Sequence, residues 1–324
     1  MDTKHAKENL GLLKQTLQDF LDDECPTMAA ALSYYTVFSL PALLMLILTI
    51  VGAFVERETV QNALAGQLGD LMGAEARQQV VTIFNQANRP DISLGVTGLV
   101  GILGLVLGAT GAFGQLQGAL NKAWGVQPDP KAGGLKNFLF KRVFSFGMVL
   151  AIAFLLLVSL ALSAALSAFG DVLVQMLPGT GEVVPMLLNN AVTLVVITLL
   201  FAAMFKVMPD AEIAWRDVWV GATVTAVLFV LGKFGIGFYL GRSDPGQAFG
   251  AAGSLAIMLV WIYYAAMILL AGAEFTQVWA ERRGGGIAPE DGAVKVVQKK
   301  QLVHRDGTVV EEQEQGAGAR HVPD

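Results

Sequence analysis

The chain has 324 residues, of which 54% are hydrophobic and only 15% are charged, and its mean hydropathy is +0.56. Its formal net charge of −5 argues against a nucleic-acid-binding surface, which normally needs clustered excess Lys and Arg. A single cysteine, Cys25, excludes an internal disulfide and any multi-cysteine metal site.

Long stretches without charged residues dominate the sequence. An α-helix needs about 20 apolar residues to cross the ~30 Å hydrocarbon layer, and it closes its backbone hydrogen bonds internally. A soluble protein with unusually apolar core helices is the alternative, but such helices normally keep one polar face. The sequence therefore predicts an all-α, polytopic membrane protein. Its six-transmembrane-helix bundle comprises approximately residues 27–55, 92–121, 143–170, 183–205, 218–240 and 248–278.

The predicted transmembrane domain comprises residues 27–280, and three parts of the chain are predicted to lie outside the membrane itself. Residues 1–26 place leucines at helical spacing and are predicted to form a cytoplasmic amphipathic arm on the inner interface. The outer loop 56–91 has the same character and is predicted to form two short helices. Residues 281–324 are polar and predict a largely disordered cytoplasmic tail, with a hint of a β-hairpin around the Asp-Gly pair at 306–307.

The basic residues predict the orientation of the chain. Placing both termini in the cytoplasm puts 17 Lys and Arg residues inside and 4 outside, with Lys233 within a span. Because basic residues accumulate on the cytoplasmic side, we expect both termini to be inside. Four tryptophans are predicted to form an interfacial belt at the inner ends of the spans: Trp124, Trp215, Trp219 and Trp279.

The second predicted span carries glycines at steps of three or four residues. Small residues at this spacing allow another helix to approach closely, so helix packing is the favoured interpretation. The alternative is that this span slides against a partner helix during a transport cycle. Pro41 is predicted to kink the first span. The glycines predicted to pack are Gly101, Gly104, Gly108, Gly111, Gly114 and Gly118.

Lys233 interrupts the fifth span about 10 Å from its outer end, at 1.5 Å per residue. An ionisable residue at membrane depth indicates a functional site, because placing it there is costly. Asn189 and Asn190 of the fourth span and Ser254 of the sixth lie at a similar depth and are predicted to meet the ammonium. The alternative is that Lys233 extends to the outer interface.

Glu274 lies at the inner end of the sixth span, roughly 15–20 Å along the helix from the level of Lys233. The alternative for Glu274 is an interfacial carboxylate in contact with water. Two polar layers separated by an apolar middle would suit alternating access. Its predicted partners are Gln115, Gln117, Asn121, Lys122, Tyr34 and Tyr35. The predicted substrate pathway comprises Lys233, Asn189, Asn190, Ser254, Glu274, Gln117 and Asn121.

Five separated motifs point to a known family. They are Ala29-Ala-Ala-Leu-Ser-Tyr-Tyr-Thr-Val-Phe-Ser-Leu-Pro41, Gly114-Gln-Leu-Gln-Gly-Ala-Leu-Asn-Lys-Ala-Trp124, Gly250-Ala-Ala-Gly-Ser-Leu255, Trp261-Ile-Tyr-Tyr264 and Leu270-Ala-Gly-Ala-Glu-Phe-Thr276. Together they resemble the YihY/BrkB family of bacterial inner-membrane proteins over about residues 15–280. Phe249 departs from the family pattern, in which Tyr is expected before the Gly-Ala-Ala-Gly run.

The resemblance implies a six-span inner-membrane protein without an agreed biochemical activity. Names used in the family include virulence factor and, in an older label, ribonuclease BN, a tRNA-processing nuclease. The residues argue against a nuclease, because metal-ion hydrolysis of phosphodiesters needs clustered His, Asp or Glu ligands. The histidines, His5, His304 and His321, all lie in the terminal arms. We therefore predict no catalytic residue, metal site, cofactor or nucleic-acid partner.

Two hypotheses on function follow from the residues. The first is a transporter or translocator of a lipid-like or other envelope-related amphiphile, in which Lys233 binds an anionic headgroup and Glu274 couples or gates the movement. Its partners would be membrane lipids and an anionic or lipid-like substrate. The second is a membrane scaffold whose arm, outer loop and tail bind other proteins.

Overall fold

The computed structural model describes residues 3–53, 55–72, 74–87, 111–131, 183–243, 253–283, 285–296, 298–303 and 309–315. Its described helices are α1 (Thr3–Asp22), α2 (Cys25–Val51), α3 (Arg57–Met72), α4 (Ala74–Ala87), α5 (111–123), α6 (Val183–Val207), α7 (Trp215–Ser243) and α8 (Gly253–Arg282). The predicted third span, 143–170, and residues 92–110 of the predicted second span lie outside the described residues.

Four of the described helices, α2, α6, α7 and α8, are long and apolar enough to cross a membrane. Their apolar windows correspond to the first, fourth, fifth and sixth predicted spans. A helical, multi-span membrane fold is therefore confirmed, and the count of six spans stays a prediction. The four windows are Cys25–Thr49, Asn190–Val207, Trp215–Tyr239 and Gly253–Arg282.

Helix α8 lies at the centre of the described bundle and packs between α2 and α7. The α7–α8 contact is built from two Gly-x-x-x-Thr segments that interlock. Thr225 donates its hydroxyl to the Gly221 carbonyl at 2.7 Å, and Thr276 donates to the Gly272 carbonyl at 2.6 Å. Each threonine side chain occupies the space above the glycine of the other helix. The two helices can approach closely because neither glycine carries a β-carbon there.

The glycine stripe of the second predicted span is described only at its inner end. Gly101, Gly104 and Gly108 lie outside the described residues. At Gly111 an added β-carbon would lie 3.5 Å from the Tyr35 ring, which is ordinary contact. Gly114 and Gly118 have open space in front of them. Pro41 lies within α2, which continues to Val51.

Helices α3 and α4 are the two short helices predicted for the 56–91 loop. They form a hairpin that packs on the C-terminal end of α2. A separate apolar cluster holds this contact, including Leu48 of α2, Val60 of α3 and Phe84 of α4. The hairpin also touches the beginning of α8, where the Ser254 hydroxyl donates to Gln79 Oε1 at 3.4 Å.

The tail differs from the predicted largely disordered segment. Strand β3 (Ala288–Pro289) pairs with β2 (Ala211–Glu212) of the α6–α7 connection, and β4 (Ala293–Lys295) pairs with β1 (Val126–Pro128), which follows α5. These strands order the tail because they pair with the segment after α5 and with the α6–α7 connection, which the helices hold in place. They also add small antiparallel sheets to the predicted all-α fold.

Further along the tail, β5 (Gln298–Val303) and β6 (Val309–Gln315) form an antiparallel hairpin. Its strands flank the Asp-Gly pair at 306–307, as the sequence hinted.

The N-terminal arm and the tail lie at the same end of the bundle. Helix α1 packs against the end of α8, where Arg282 Nη2 donates to Gln15 Oε1 at 3.3 Å. The strands after α5 and between α6 and α7 are at this end as well, because both pair with the tail. This shared end is called the inner end below, after the predicted orientation.

Candidate functional site

A buried carboxylate and the single cysteine meet at the inner end. Cys25 begins α2 and Glu274 lies in the last third of α8, and both are fully buried. The Cys25 thiol donates to Glu274 Oε1 at 3.4 Å, and Glu274 Oε2 has no hydrogen-bond partner among the described residues. The predicted partners of Glu274 on the second span are not the ones it contacts. The water-exposed alternative is also wrong, because α1, α2 and α8 pack around this position.

More acidic groups surround this pair. Asp23, in the turn between α1 and α2, is partly buried, and its burial raises its pKa from 3.8 to about 6. The nearby carboxylates of Asp19, Asp22 and Glu24 contribute to this rise in pKa, whereas Lys122 opposes it. Lys122 itself forms an ion pair with Glu24 at 3.2 Å. The turn therefore carries a partly buried group with a pKa of about 6, two residues before Cys25.

The predicted inner residues Gln117 and Asn121 belong to a second polar cluster around Asp210. Asn121 Nδ2 donates to Asp210 Oδ2 at 2.8 Å, and the Asp210 backbone N–H donates to Asn121 Oδ1 at 2.8 Å. Gln117 Nε2 donates to Asp210 Oδ1 at 3.2 Å. Two reciprocal bonds to one amide fix α5 against the α6–α7 connection. Hydrogen bonds to a charged group typically contribute about 1.5–3 kcal/mol each.

Trp124 corrects the prediction of an interfacial belt. It is 1% exposed, and its indole N–H donates to the Ala273 carbonyl at 2.9 Å, next to Glu274. Its ring packs against Phe205. Trp124 therefore anchors the end of α5 to α8 inside the protein. Trp215 and Trp219 lie on the surface of α7, where the belt places them.

The predicted outer cluster around Lys233 does not form among the described residues. Ser254 is bonded to Gln79 instead, and Asn190 is exposed. The side chain of Asn189 lies outside the described part. Lys233 is half-buried on α7, and no described residue forms a hydrogen bond or ion pair with it. Within the described ranges, polar residues meet at the inner end and not at the level of Lys233.

An apolar cavity of about 260 Å³ lies between α2, α5, α6, α7 and α8. Among the described residues that line it, every side chain except that of Thr36 is apolar, and aromatic rings from three helices contribute. Lining residues include Leu32, Phe113, Met204, Phe229, Ala266 and Leu269.

Polar residues follow the cavity on three elements. Glu274 comes five residues after Leu269, and Asn121 comes five residues after Leu116, which is about 7–8 Å of helix in each case. Asp210 comes six residues after Met204 in the chain. The inner ends of the cavity walls therefore lead to both polar clusters. A cavity in a membrane bundle with a polar layer at one end can hold an apolar chain and a polar group together.

No group of three or more His, Cys, Asp or Glu side chains that could hold a metal ion occurs within the described residues. Two site residues escaped the sequence reasoning. As a single cysteine, Cys25 indicates only that a disulfide and a multi-cysteine metal site are absent, although it begins the span that runs beside Glu274. The sequence analysis makes no prediction for Asp210, although a carboxylate in a short connection at the inner end is a candidate partner for polar residues of neighbouring spans. The two Gly-x-x-x-Thr segments were also readable at 221–225 and 272–276.

The fold and site define a class: a helical membrane protein with an apolar cavity, polar clusters at its inner end and a tail whose strands pair with the connections between helices. Comparison with known proteins places it more narrowly. The family described as "Virulence factor BrkB" matches residues 16–295. The chain belongs to this family, which confirms the resemblance. The match continues past residue 280 and includes β3 and β4, so the tail is not wholly outside it.

Curated relatives carry the description "UPF0761 membrane protein". One from Ralstonia nicotianae is 31% identical over 256 residues, covering 78% of this chain and 55% of the relative. One from Stenotrophomonas maltophilia is 31% identical over 274 residues, covering 82% and 59%. One from Rhodospirillum centenum is 28% identical over 280 residues, covering 86% and 59%. The chain thus spans less than two thirds of the length of these relatives. No solved structure matches it.

Proposed function

We propose that this protein moves a lipid-like or other envelope-related amphiphile across the bacterial inner membrane, with both termini in the cytoplasm. The apolar cavity is the observation that carries this proposal. An acyl chain leaves one apolar medium for another when it enters such a cavity, so its transfer costs little. A polar headgroup needs polar partners at membrane depth, because an unsatisfied polar group there costs several kcal/mol.

The inner polar layer supports the same function. Gln117, Asn121 and Asp210 offer amide and carboxylate groups at the end of the cavity walls. Lys233, half-buried on α7, would attract an anionic headgroup at the opposite end. The inner polar residues and Lys233 would each contact the headgroup at one end of its path. Between these two ends the lipid would contact only apolar side chains.

Filling the cavity tests this function. Ala266→Phe places a ring in the cavity wall of α8 and should reduce the flux of a fluorescent phospholipid in proteoliposomes several-fold. Val260→Phe is the matched control, because it adds the same ring to an exposed position on the same helix. Lys233→Met should lower flux selectively for anionic lipids. Equal flux for Ala266→Phe and wild type, at equal insertion, would remove the cavity from the pathway.

A membrane scaffold is the second candidate, and the exposed face of α1 favours it. Leu10, Leu13, Leu17 and Leu21 follow helical spacing, and each is more than half exposed. Such a row suits either the lipid interface or a protein partner. Crosslinking in native membranes distinguishes the two functions: a stoichiometric partner together with no flux in vesicles would favour the scaffold.

The expectation that the chain is not a nuclease stays a prediction. Highly purified protein incubated with tRNA and a divalent metal ion should leave the RNA intact. Metal-dependent cleavage that persists through purification would contradict it.

A further inference from the structure

Glu274 has an environment unlike that of a structural surface carboxylate. Its side chain is fully buried, and one oxygen accepts the Cys25 thiol while the other has no hydrogen-bond partner among the described residues. Nearby, Trp124 bonds to the carbonyl of Ala273, and the Thr276 side chain packs on α7. The carboxyl group is therefore enclosed by α2, the end of α5 and α7, which pack around this part of α8.

The titratable groups that act on Glu274 lie on α1, the α1–α2 turn, α2 and α8 itself. They are Asp19 of α1, Asp23 of the α1–α2 turn, Cys25 of α2 and Glu281 of α8. Lys122 of α5 acts on Cys25 and Asp23 and is paired with Glu24. The surroundings of Glu274 are thus acidic. An ionised carboxylate that is buried without a cation costs several kcal/mol.

We propose that Glu274 is a proton-binding site, which holds its proton in this conformation and exchanges it with the inner aqueous side through Asp23. Protonation removes the buried charge, and the neutral carboxyl group still accepts the Cys25 thiol. This inference deepens the proposed function by naming the proton as the coupling ion. The coupling step rests on the proposed function, whereas proton binding at Glu274 does not.

Asp23 suits the role of exchange partner by position. It lies two residues before Cys25, which contacts Glu274, and it is partly buried in the turn next to Glu24, which pairs with Lys122. Its pKa of about 6 allows it to take up and release a proton near neutral pH. The path therefore runs from the surface through Asp23 to the buried carboxyl group.

Infrared spectroscopy of the purified full chain in lipid tests the site. We expect the carbonyl stretch of a protonated carboxylic acid at neutral pH, lost in Glu274→Gln. Asp217→Asn is the matched control, because Asp217 is also buried but lies 3.5 Å from Arg216, and this variant should keep the band. If Glu274→Gln does not fold, Glu274→Asp should shift the band. A band unchanged in the folded Glu274 variants would overturn the proposal.

Exchange kinetics test the path. The Glu274 band should shift in D2O, and Asp23→Asn should slow this shift several-fold, whereas Asp22→Asn should not. Equal rates in wild type and Asp23→Asn would contradict the route through Asp23.

Flux measurements separate this inference from the proposed function: a Glu274 band without any lipid flux contradicts transport alone. Flux that Glu274→Gln leaves unchanged contradicts the coupling.

Discussion

Glu274 and Asp23 show how the degree of burial sets the chemistry of a carboxylate. Glu274 is enclosed by packed helices, whereas Asp23, two residues before Cys25, keeps contact with solvent. Because Asp23 is partly buried among other acids, its neutral form is favoured and its pKa rises to about 6.

The raised pKa of Asp23 predicts a pH dependence of stability. The folded state binds this proton more tightly than the unfolded chain, whose pKa is 3.8. The stabilisation is therefore complete below about pH 4 and is lost as the pH rises towards 6. Thermal unfolding in detergent across this range should show wild type losing stability relative to Asp23→Asn. Asp22→Asn, at an exposed neighbouring position, should keep most of the wild-type pH dependence, because Asp22 is one of the smaller contributors to the raised pKa of Asp23. A constant difference between wild type and Asp23→Asn would contradict the prediction.

Interlocked Gly-x-x-x-Thr segments decide how close α7 and α8 lie. Each threonine hydroxyl is satisfied within its own helix, so the side chain can pack on the facing glycine without leaving a polar group unpaired. The same helix α8 carries Glu274 between Gly272 and Thr276. Close packing of the two helices therefore also fixes the position of the buried carboxylate.

Gly272→Ala should destabilise the protein by about 1–3 kcal/mol, because its β-carbon would collide with Thr225. Gly235→Ala is the matched control, since open space surrounds Gly235 on α7. Denaturant unfolding in detergent, with insertion checked, measures both variants. A Gly272→Ala protein as stable as Gly235→Ala would show that the helices do not need this close approach.

At the scale of the whole molecule, the tail joins parts of the chain that are distant in sequence. Strand β3 pairs with the α6–α7 connection and β4 pairs with the segment after α5. Glu290 N–H also donates to the backbone carbonyl of Asp210, the residue at the centre of the Gln117–Asn121 cluster. The strands thus hold the inner ends of three helices in register.

Truncation tests this role of the tail. A chain that ends at residue 297 keeps both strand pairs and should retain wild-type thermal stability in detergent. A chain that ends at residue 284 loses both pairs and should unfold at a lower temperature. Equal stability of the two truncated proteins would show that β3 and β4 do not support the bundle.

The sequence alone determined that this is a multi-span helical membrane protein, because uncharged stretches of this length satisfy their backbone only as helices in lipid. It also predicted an N-terminal helix, the two helices after α2 and the hairpin in the tail, whereas the role of Glu274 stays a prediction. It could not assign partners: Glu274 meets Cys25 and Asn121 meets Asp210. Only the tertiary structure decided these pairs. Cys25 and Glu274 are 249 positions apart and Asn121 and Asp210 are 89 positions apart, and each pair meets through helix packing that no local spacing encodes.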